Sequence, residues 1–182
     1  MRARAWIFSL FTMVVILALP REPRAQGGAS QVKLRANPTQ SLAIVVNRSN
    51  PIDNLSFSEL RKIFMGERNH WPNGHRIAIA MLDYGQPERR VVLRQIYRMD
   101  EKGYEDYVLG VMFRGDVFVA PKTLSSPTIL RKFVFNAPGA IGYLRSRDVD
   151  ETVKIVRIDG LRPEDKGYRL QIDEPEASKE SD

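Results

Sequence analysis

The amino-acid sequence predicts one α/β domain whose small mixed sheet is flanked by helices. Continuous apolar runs of strand length, SLAIVVN (41–47) and HRIAIAML (75–82), suit strands that are covered on both faces. Amphipathic segments with helix-capping residues stand between such runs. The third observation is FVFNAPGAIGYL (133–144), in which a Pro and two Gly separate two apolar segments. A helix that turns so abruptly into a strand is typical of layered α/β folds.

The first helix is predicted within LSFSELRKIFMGE (55–67). Ser56 and Glu59 match a capping box, in which each side chain bonds to the other residue's backbone N–H. Three apolar residues spaced i, i+3 and i+4 then form one face of the helix. Gly66 stands where a helix ends in a left-handed residue.

Three more helices and two more strands are predicted further along the chain. Pro87 suits the first turn of a helix because its missing N–H costs nothing there. A third helix is predicted through residues 104–111, and Ser126 and Pro127 open a fourth. The runs AIGYL (140–144) and VKIVRID (153–159) supply the last strands. The predicted order of elements is β-α-β-α-α-α-β-β.

The 182 residues divide into four predicted parts. Residues 1–25 combine a basic start, an apolar run and a small residue at Ala25, which is typical of a secretory signal peptide. An uncleaved membrane anchor is the alternative, although the apolar run falls short of the ~20 residues of a comfortable span. Residues 26–40 are predicted to be a linker, 41–171 the folded domain, and 172–182 a disordered acidic tail.

Charge and cysteine content exclude several classes of function. The full chain carries +6; removing residues 1–25 takes away four Arg and one Glu, which leaves +3. The tail has five acids and one Lys, or −4, so residues 26–171 carry about +7. This surplus contains no Lys/Arg run, so we expect no nucleic-acid partner. A basic body suits an anionic ligand or surface, although it also serves solubility. The absence of Cys excludes disulfides and thiol catalysis.

The histidines and acids form no constellation that predicts catalysis. His70 and His75 flank a Pro-Asn-Gly turn, but no carboxylate or Cys nearby completes a metal site. Neither has a Ser partner, and no GxSxG motif occurs. We therefore expect no catalytic residue, no metal and no cofactor. Trp71, between the two histidines, is expected to plug the edge of the core rather than to stack on a ligand.

The turn DYGQPERR (83–90) is the candidate ligand site. A strand end followed by a helix start directs backbone N–H groups toward one point, where the helix dipole favours an anion. The alternative is an ordinary strand-to-helix turn with solvated arginines. Glu88 counts against an anion because it adds negative charge to the first turn, which Arg89 could partly offset. The candidate ligand-binding residues are Asp83, Gln86, Arg89 and Arg90.

Two motifs resemble the phosphate-type periplasmic substrate-binding proteins of ABC transporters. AIVVNRSNPIDNLSFSELRKIFMGERNHWPNG (43–74) resembles the family's strand, Asn, Leu-Ser/Thr helix and Ile-Phe-x-Gly-x-x-x-x-Trp segment. NAPGAIGYL (136–144) resembles its Pro-Gly-Ala/Ser-Ile-Gly-Tyr segment, and residues 157–160 and 167–168 its ending. The resemblance spans about residues 41–170. It implies a single lobe of a type 2 periplasmic-binding-protein fold, because full members are longer and close two lobes around the ligand.

The resemblance also implies a function. It implies an exported, non-enzymatic component of phosphate ABC transport that is periplasmic or otherwise extracytoplasmic. Its ligand would be an inorganic anion such as phosphate, and its partner a membrane transporter or another envelope protein. Where the family has an Arg at the strand end and Ser-Gly-Thr at the helix start, this chain has Leu82 and Gln86-Pro87-Glu88. These changes select against a dianion. A second hypothesis is therefore an envelope interaction module that has lost its ligand.

Overall fold

The computed structural model describes residues 41–113 and 120–172. The predicted signal peptide and linker, and residues 173–182 of the predicted tail, lie outside these ranges. Within the described ranges, no helix is long and apolar enough to cross a membrane. Ile172, which the sequence places at the start of the tail, is buried in the core. The packed chain thus extends one residue beyond the predicted end of the domain, and the other predicted boundaries stay predictions.

The described residues form six strands and four α-helices. The strands are β1 (Leu42–Asn47), β2 (Asn54–Leu55), β3 (Ala78–Leu82), β4 (Lys122–Leu124), β5 (Ala140–Arg145) and β6 (Val153–Ile158). The α-helices are α1 (Phe57–Phe64), α2 (Pro87–Val92), α3 (Glu101–Phe113) and α4 (Pro127–Asn136). A π-helical turn (Leu93–Tyr97) continues α2, and a 3-10 turn (Ser146–Asp148) follows β5.

The strands form one mixed sheet in the order β2-β6-β1-β5-β3-β4. β1 pairs antiparallel with β5 and β6, whereas β3 pairs parallel with β5 and β4. The carboxyl ends of β3, β4 and β5 therefore meet at one edge of the sheet. The predicted α/β class and mixed sheet are confirmed. The sequence does not predict β2 and β4, because these strands have only two and three residues and expose most of their side chains.

Helices cover both faces of the sheet. Gly142 and Tyr143 are neighbours in β5 and so face opposite sides. A Cβ placed on Gly142 would lie 2.9 Å from Leu130 Cδ2, which puts α4 on one side. On the other side, Met81 Sδ of β3 contacts the hydroxyl groups of Tyr97 and Tyr104, at 3.6 and 3.5 Å. Every residue of β1 is buried, as predicted for a strand between two helical layers.

Helix α1 begins with the predicted capping box. Glu59 N donates to Ser56 Oγ at 3.2 Å, and Ser56 N donates to Glu59 Oε2 at 2.9 Å. The hydrogen bond from the Ser56 amide lowers the pKa of the Glu59 carboxyl from its ordinary value. Gly66 adopts the predicted left-handed conformation, with φ of 75°, just after the helix.

The break between α4 and β5 depends on close backbone contact with the segment before β3. A Cβ at Gly139 would lie 2.0 Å from the carbonyl oxygen of Arg76, so only glycine fits there. Trp71 is 2% exposed, and its Nε1 donates to the Gly139 carbonyl at 3.0 Å. The expectation that Trp71 plugs the edge of the core is confirmed. Ser126 caps α4 as predicted, because its Oγ accepts from Ile129 N at 3.3 Å.

Candidate ligand-binding site

The predicted site lies at the carboxyl edge of the parallel strands. The turn 83–86 leads from the end of β3 into α2, and ligands of open α/β sheets bind in the crevice outside such strand ends. Asp83 N donates to the carbonyl of Leu124 at 2.9 Å, which holds the ends of β3 and β4 side by side. Gly85 has φ of 79°, a left-handed conformation that glycine adopts without strain. Backbone contacts therefore fix the geometry of the turn, one within it and one to the neighbouring strand.

The four predicted ligand residues differ in their exposure. Asp83 and Arg90 are exposed, and Gln86 is half-buried at the N-cap position, where its side chain makes no bond to the helix. The Asp83 carboxylate accepts a hydrogen bond from Tyr84 N at 2.8 Å. Arg89, in contrast, is only 2% exposed. Three of the four side chains therefore reach solvent around the turn, and the fourth lies beneath it.

Arg89 is held by contacts on every side of its guanidinium. Nε and Nη2 donate to Glu101 Oε1 at 2.9 and 2.6 Å, and Nη1 donates to the carbonyl of Leu82 at 3.0 Å. The rings of Tyr84 and Tyr104 flank it, with centroids 4.6 and 5.2 Å from Cζ. Burial works to lower the pKa of Arg89, but the hydrogen bond and the charge of Glu101 raise it above its ordinary value. The arginine thus stays charged, and a carboxylate of the chain itself compensates that charge.

Glu88 is buried and forms an ion pair with Arg145 at the end of β5. Its Oε2 has no hydrogen-bond partner among the described residues. The sequence suggests that Glu88 repels an anion at the turn and that Arg89 offsets its charge. The structure corrects both points, because Arg145 compensates Glu88 while Arg89 pairs with Glu101. The first turn of α2 therefore presents no uncompensated carboxylate to a ligand.

The length of α2 limits the contribution of its dipole. The α-helix has six residues before it widens into the π-helical turn, so few peptide dipoles are aligned behind the turn 83–86. Any attraction for an anion must therefore come mainly from side chains. Arg90 is the exposed cation of the turn among the four predicted residues.

Several residues that shape the site are not predicted from the sequence. Glu101 and Arg145 fix the charges of α2, and the Tyr143 hydroxyl accepts from Leu82 N at 3.0 Å. No local signal marks these residues, because each acts on a partner in another element. The two histidines lie elsewhere: His70 and His75 are exposed in the segment that precedes β3, at the opposite edge of the sheet.

The structure shares its fold with solved phosphate receptors. It is similar to an ABC-type phosphate transport receptor from Vibrio cholerae, with a TM-score of 0.56 and 20% identity over 68% of this chain and 49% of the receptor. It is also similar to a putative phosphate ABC transporter substrate-binding protein with bound phosphate from Clostridium perfringens. In that case the TM-score is 0.55 and the identity 19%, over 68% of this chain and 47% of that protein. The fold is thus that of the periplasmic substrate-binding proteins, as the motifs imply.

A curated relative supports the same class from sequence. Over 126 residues, the chain is 29% identical to the phosphate-binding protein PstS of Bacillus subtilis (strain 168). The match covers 69% of this chain and 38% of PstS, and no protein-family model matches the chain. The resemblance to phosphate-type substrate-binding proteins is therefore confirmed. The chain spans less than half the length of these relatives.

Proposed function

We propose that this protein is an extracytoplasmic, non-enzymatic solute-binding domain associated with phosphate transport. The observation that carries the proposal is the shared fold over about two thirds of the chain, combined with the sequence similarity to PstS. The Vibrio receptor is described as part of ABC-type phosphate transport, and the Clostridium protein holds phosphate. The basic body of the chain is compatible with an anionic solute. The partner would be a membrane transporter, and the apolar N-terminal run would direct export.

The ligand site in this proposal consists of Asp83, Gln86, Arg89 and Arg90. Gln86 would donate its amide N–H groups to an anion, and Arg90 would supply an exposed positive charge. Arg89 would act from below, since it anchors the strand end through the Leu82 carbonyl. Asp83 would accept the proton of a monohydrogen anion and so restrict the ligand to protonated species.

A thermal titration tests this proposal. The purified protein is titrated with phosphate, and with sulfate as the control anion, while its melting temperature is followed. A ligand at 100 times its Kd stabilises the folded state by about 2.7 kcal/mol, which corresponds to a shift on the order of 5 °C. We expect Arg90→Gln to remove the shift. Arg76→Gln is the matched control, because it removes the same charge at the opposite edge of the sheet.

The second candidate function is an envelope interaction module that retains the lobe without the ligand. The two compensated ion pairs favour it: Glu101 already occupies Arg89, and Arg145 occupies Glu88. The chain also spans less than half of its relatives' length, and its described residues form one sheet only.

Chemical cross-linking in the native cell distinguishes the two candidates. A membrane permease as the cross-linked partner, together with a thermal shift by phosphate, supports the transport proposal. The interaction module is supported if neither millimolar phosphate nor sulfate shifts the melting temperature and the cross-linked partner is not part of a transporter. In that case phosphate is rejected as the ligand.

A further inference from the structure

A groove of about 700 Å³ lies beside the turn 83–86, along one side of α2 and the π-helical turn. Leu93 is buried there, Met99 is half-buried, and Tyr84 is exposed by 54%. Three arginines spaced four residues apart line the same groove. We define the arginine groove as the surface formed by Tyr84, Leu93, Met99, Arg90, Arg94 and Arg98.

The arginine groove carries an excess of positive charge. Asp100 and Glu101 are the acids that line it, and both already accept hydrogen bonds. Asp100 Oδ1 accepts from Gly103 N at 2.7 Å, and Glu101 accepts from Arg89. The three arginines that line the groove outnumber these two acids, which leaves a formal charge of +1 on the lining. An acidic segment with apolar or small residues would complement such a surface.

The end of the described chain lies next to the same helical segment. Gln95 Nε2 donates to the carbonyl of Gln171 at 3.4 Å, and Gln95 follows Arg94 directly in the π-helical turn. The next residue, Ile172, is buried at 3% exposure and anchors the chain at this place. The sequence that follows is DEPEASKESD (173–182), with five acids and one Lys, or −4. Ten residues span up to ~33 Å when extended, so the arginine groove lies within their reach.

We propose that the acidic segment 173–182 binds the arginine groove of its own chain. Its carboxylates pair with Arg94 and Arg98, and the groove's apolar floor accommodates Pro175 and Ala177. Individual exposed ion pairs contribute little to binding. A segment that is tethered to its own binding site is nevertheless present there at an effective concentration in the millimolar range. This inference rests on the groove and the charge pattern and does not require that the protein binds phosphate.

Paramagnetic relaxation tests the inference directly, because the chain contains no Cys. Ser178→Cys provides one site for a nitroxide label in the acidic segment. We expect selective loss of the amide NMR signals of residues 90–98 in low salt. Raising the salt to 1 M shortens the Debye length to ~3 Å and should restore these signals.

Two charge variants separate this site from general attraction to a basic protein. Arg94→Gln combined with Arg98→Gln should abolish the selective signal loss, and Arg90 is left in place as a proposed ligand contact. The control combines Lys132→Gln with Arg76→Gln, which removes two exposed charges outside the groove and should change nothing. Signal loss spread evenly over the domain, or loss that survives both high salt and the arginine substitutions, overturns the proposal. A second sample mixes isotope-labelled chains that carry no nitroxide with unlabelled chains that carry it. Signal loss in this sample also overturns the proposal, because it shows that the segment reaches a second copy.

Discussion

The hydroxyl of Tyr143 in β5 accepts a hydrogen bond from the backbone N–H of Leu82, the last residue of β3, at 3.0 Å. The carbonyl of the same Leu82 accepts from Arg89 Nη1. Both polar groups of the strand's last residue are therefore bonded to side chains from other elements. A buried backbone group without a partner is costly, so these two contacts fix where the strand ends and the turn begins.

Tyr143→Phe should destabilise the protein by about 1–3 kcal/mol, because it leaves the Leu82 N–H buried without an acceptor while the ring still fills its place. Urea unfolding followed by circular dichroism measures the change. Tyr84→Phe is the control, since the Tyr84 hydroxyl donates to the exposed carboxylate of Glu105 and its loss should cost little. Equal effects of the two substitutions would show that the Leu82 contact contributes no stability.

Local signals in the sequence predict much of this fold. The capping box of Ser56 and Glu59, the Pro at the start of α2 and the Ser126 cap all form as predicted. Each of these signals involves residues no more than one helical turn apart, so both partners can be recognised from the sequence alone. The apolar runs of β1 and β5 also predict their strands reliably, because a strand that is buried on both faces needs apolar residues at consecutive positions.

The charges around the candidate site could not be predicted in the same way. Arg145 pairs with Glu88 from 57 residues away, and Glu101 pairs with Arg89 across 12 residues and a change of helix. Nearest-neighbour reasoning assigns Arg89 to Glu88, although the two side chains leave the helix in different directions. Only the packing of β5 and α3 against α2 selects the partners. The exposure of the predicted ligand residues follows from this packing too.

Gly139→Ala should destabilise the protein by about 2–3 kcal/mol, because its Cβ would lie 2.0 Å from the Arg76 carbonyl oxygen and the backbone would have to move. The contact between Trp71 Nε1 and the Gly139 carbonyl should weaken as well, which tryptophan fluorescence reports. Gly103→Ala is the matched substitution: its Cβ would meet no backbone atom but the side chains of Asp100, at 3.1 Å, and Met99, at 3.6 Å. Because alanine favours a helix more than glycine does, Gly103→Ala should be neutral or stabilising. An undisturbed Gly139→Ala variant would contradict the predicted close approach.

The stability of the protein should fall in alkali. Burial raises the pKa of the Tyr143 and Tyr168 hydroxyls above the ordinary value, although hydrogen bonds with the backbone partly oppose the shift. A raised pKa in the folded state means that the stabilisation is complete below the unfolded pKa of about 10 and is lost as the pH rises beyond it. Unfolding free energies measured from pH 8 to pH 11.5 should therefore decline.

Tyr168→Phe isolates one contribution to this decline. The Tyr168 hydroxyl donates to the Leu42 carbonyl at 2.8 Å, so the variant is less stable near neutral pH. Its unfolding free energy should nevertheless fall less steeply above pH 10 than that of the parent protein, because one buried ionisable group is gone. Parallel curves for the two proteins would refute the assignment of the alkaline loss to Tyr168.

The Arg89–Glu101 pair should act as one unit in stability. Arg89→Met removes the cation and leaves both the Leu82 carbonyl and Glu101 without a donor, so we expect a loss of about 3 kcal/mol. Glu101→Gln should cost less, on the order of 1–2 kcal/mol, because this carboxylate is partly exposed and the amide oxygen still accepts a hydrogen bond. The double variant should be more stable than the sum of the single losses predicts, which urea unfolding measures as a coupling energy.

The same pair determines how strongly the turn attracts anions. In the parent protein the Glu101 carboxylate compensates Arg89, whereas Glu101→Gln leaves the guanidinium charge without a carboxylate. Millimolar phosphate or sulfate should therefore raise the melting temperature of Glu101→Gln more than that of the parent protein. Glu105→Gln, one turn further along α3, removes an equal charge from an exposed position and serves as the control. If anions stabilise both variants equally, the effect is general screening, and Glu101 does not compete with a ligand for Arg89.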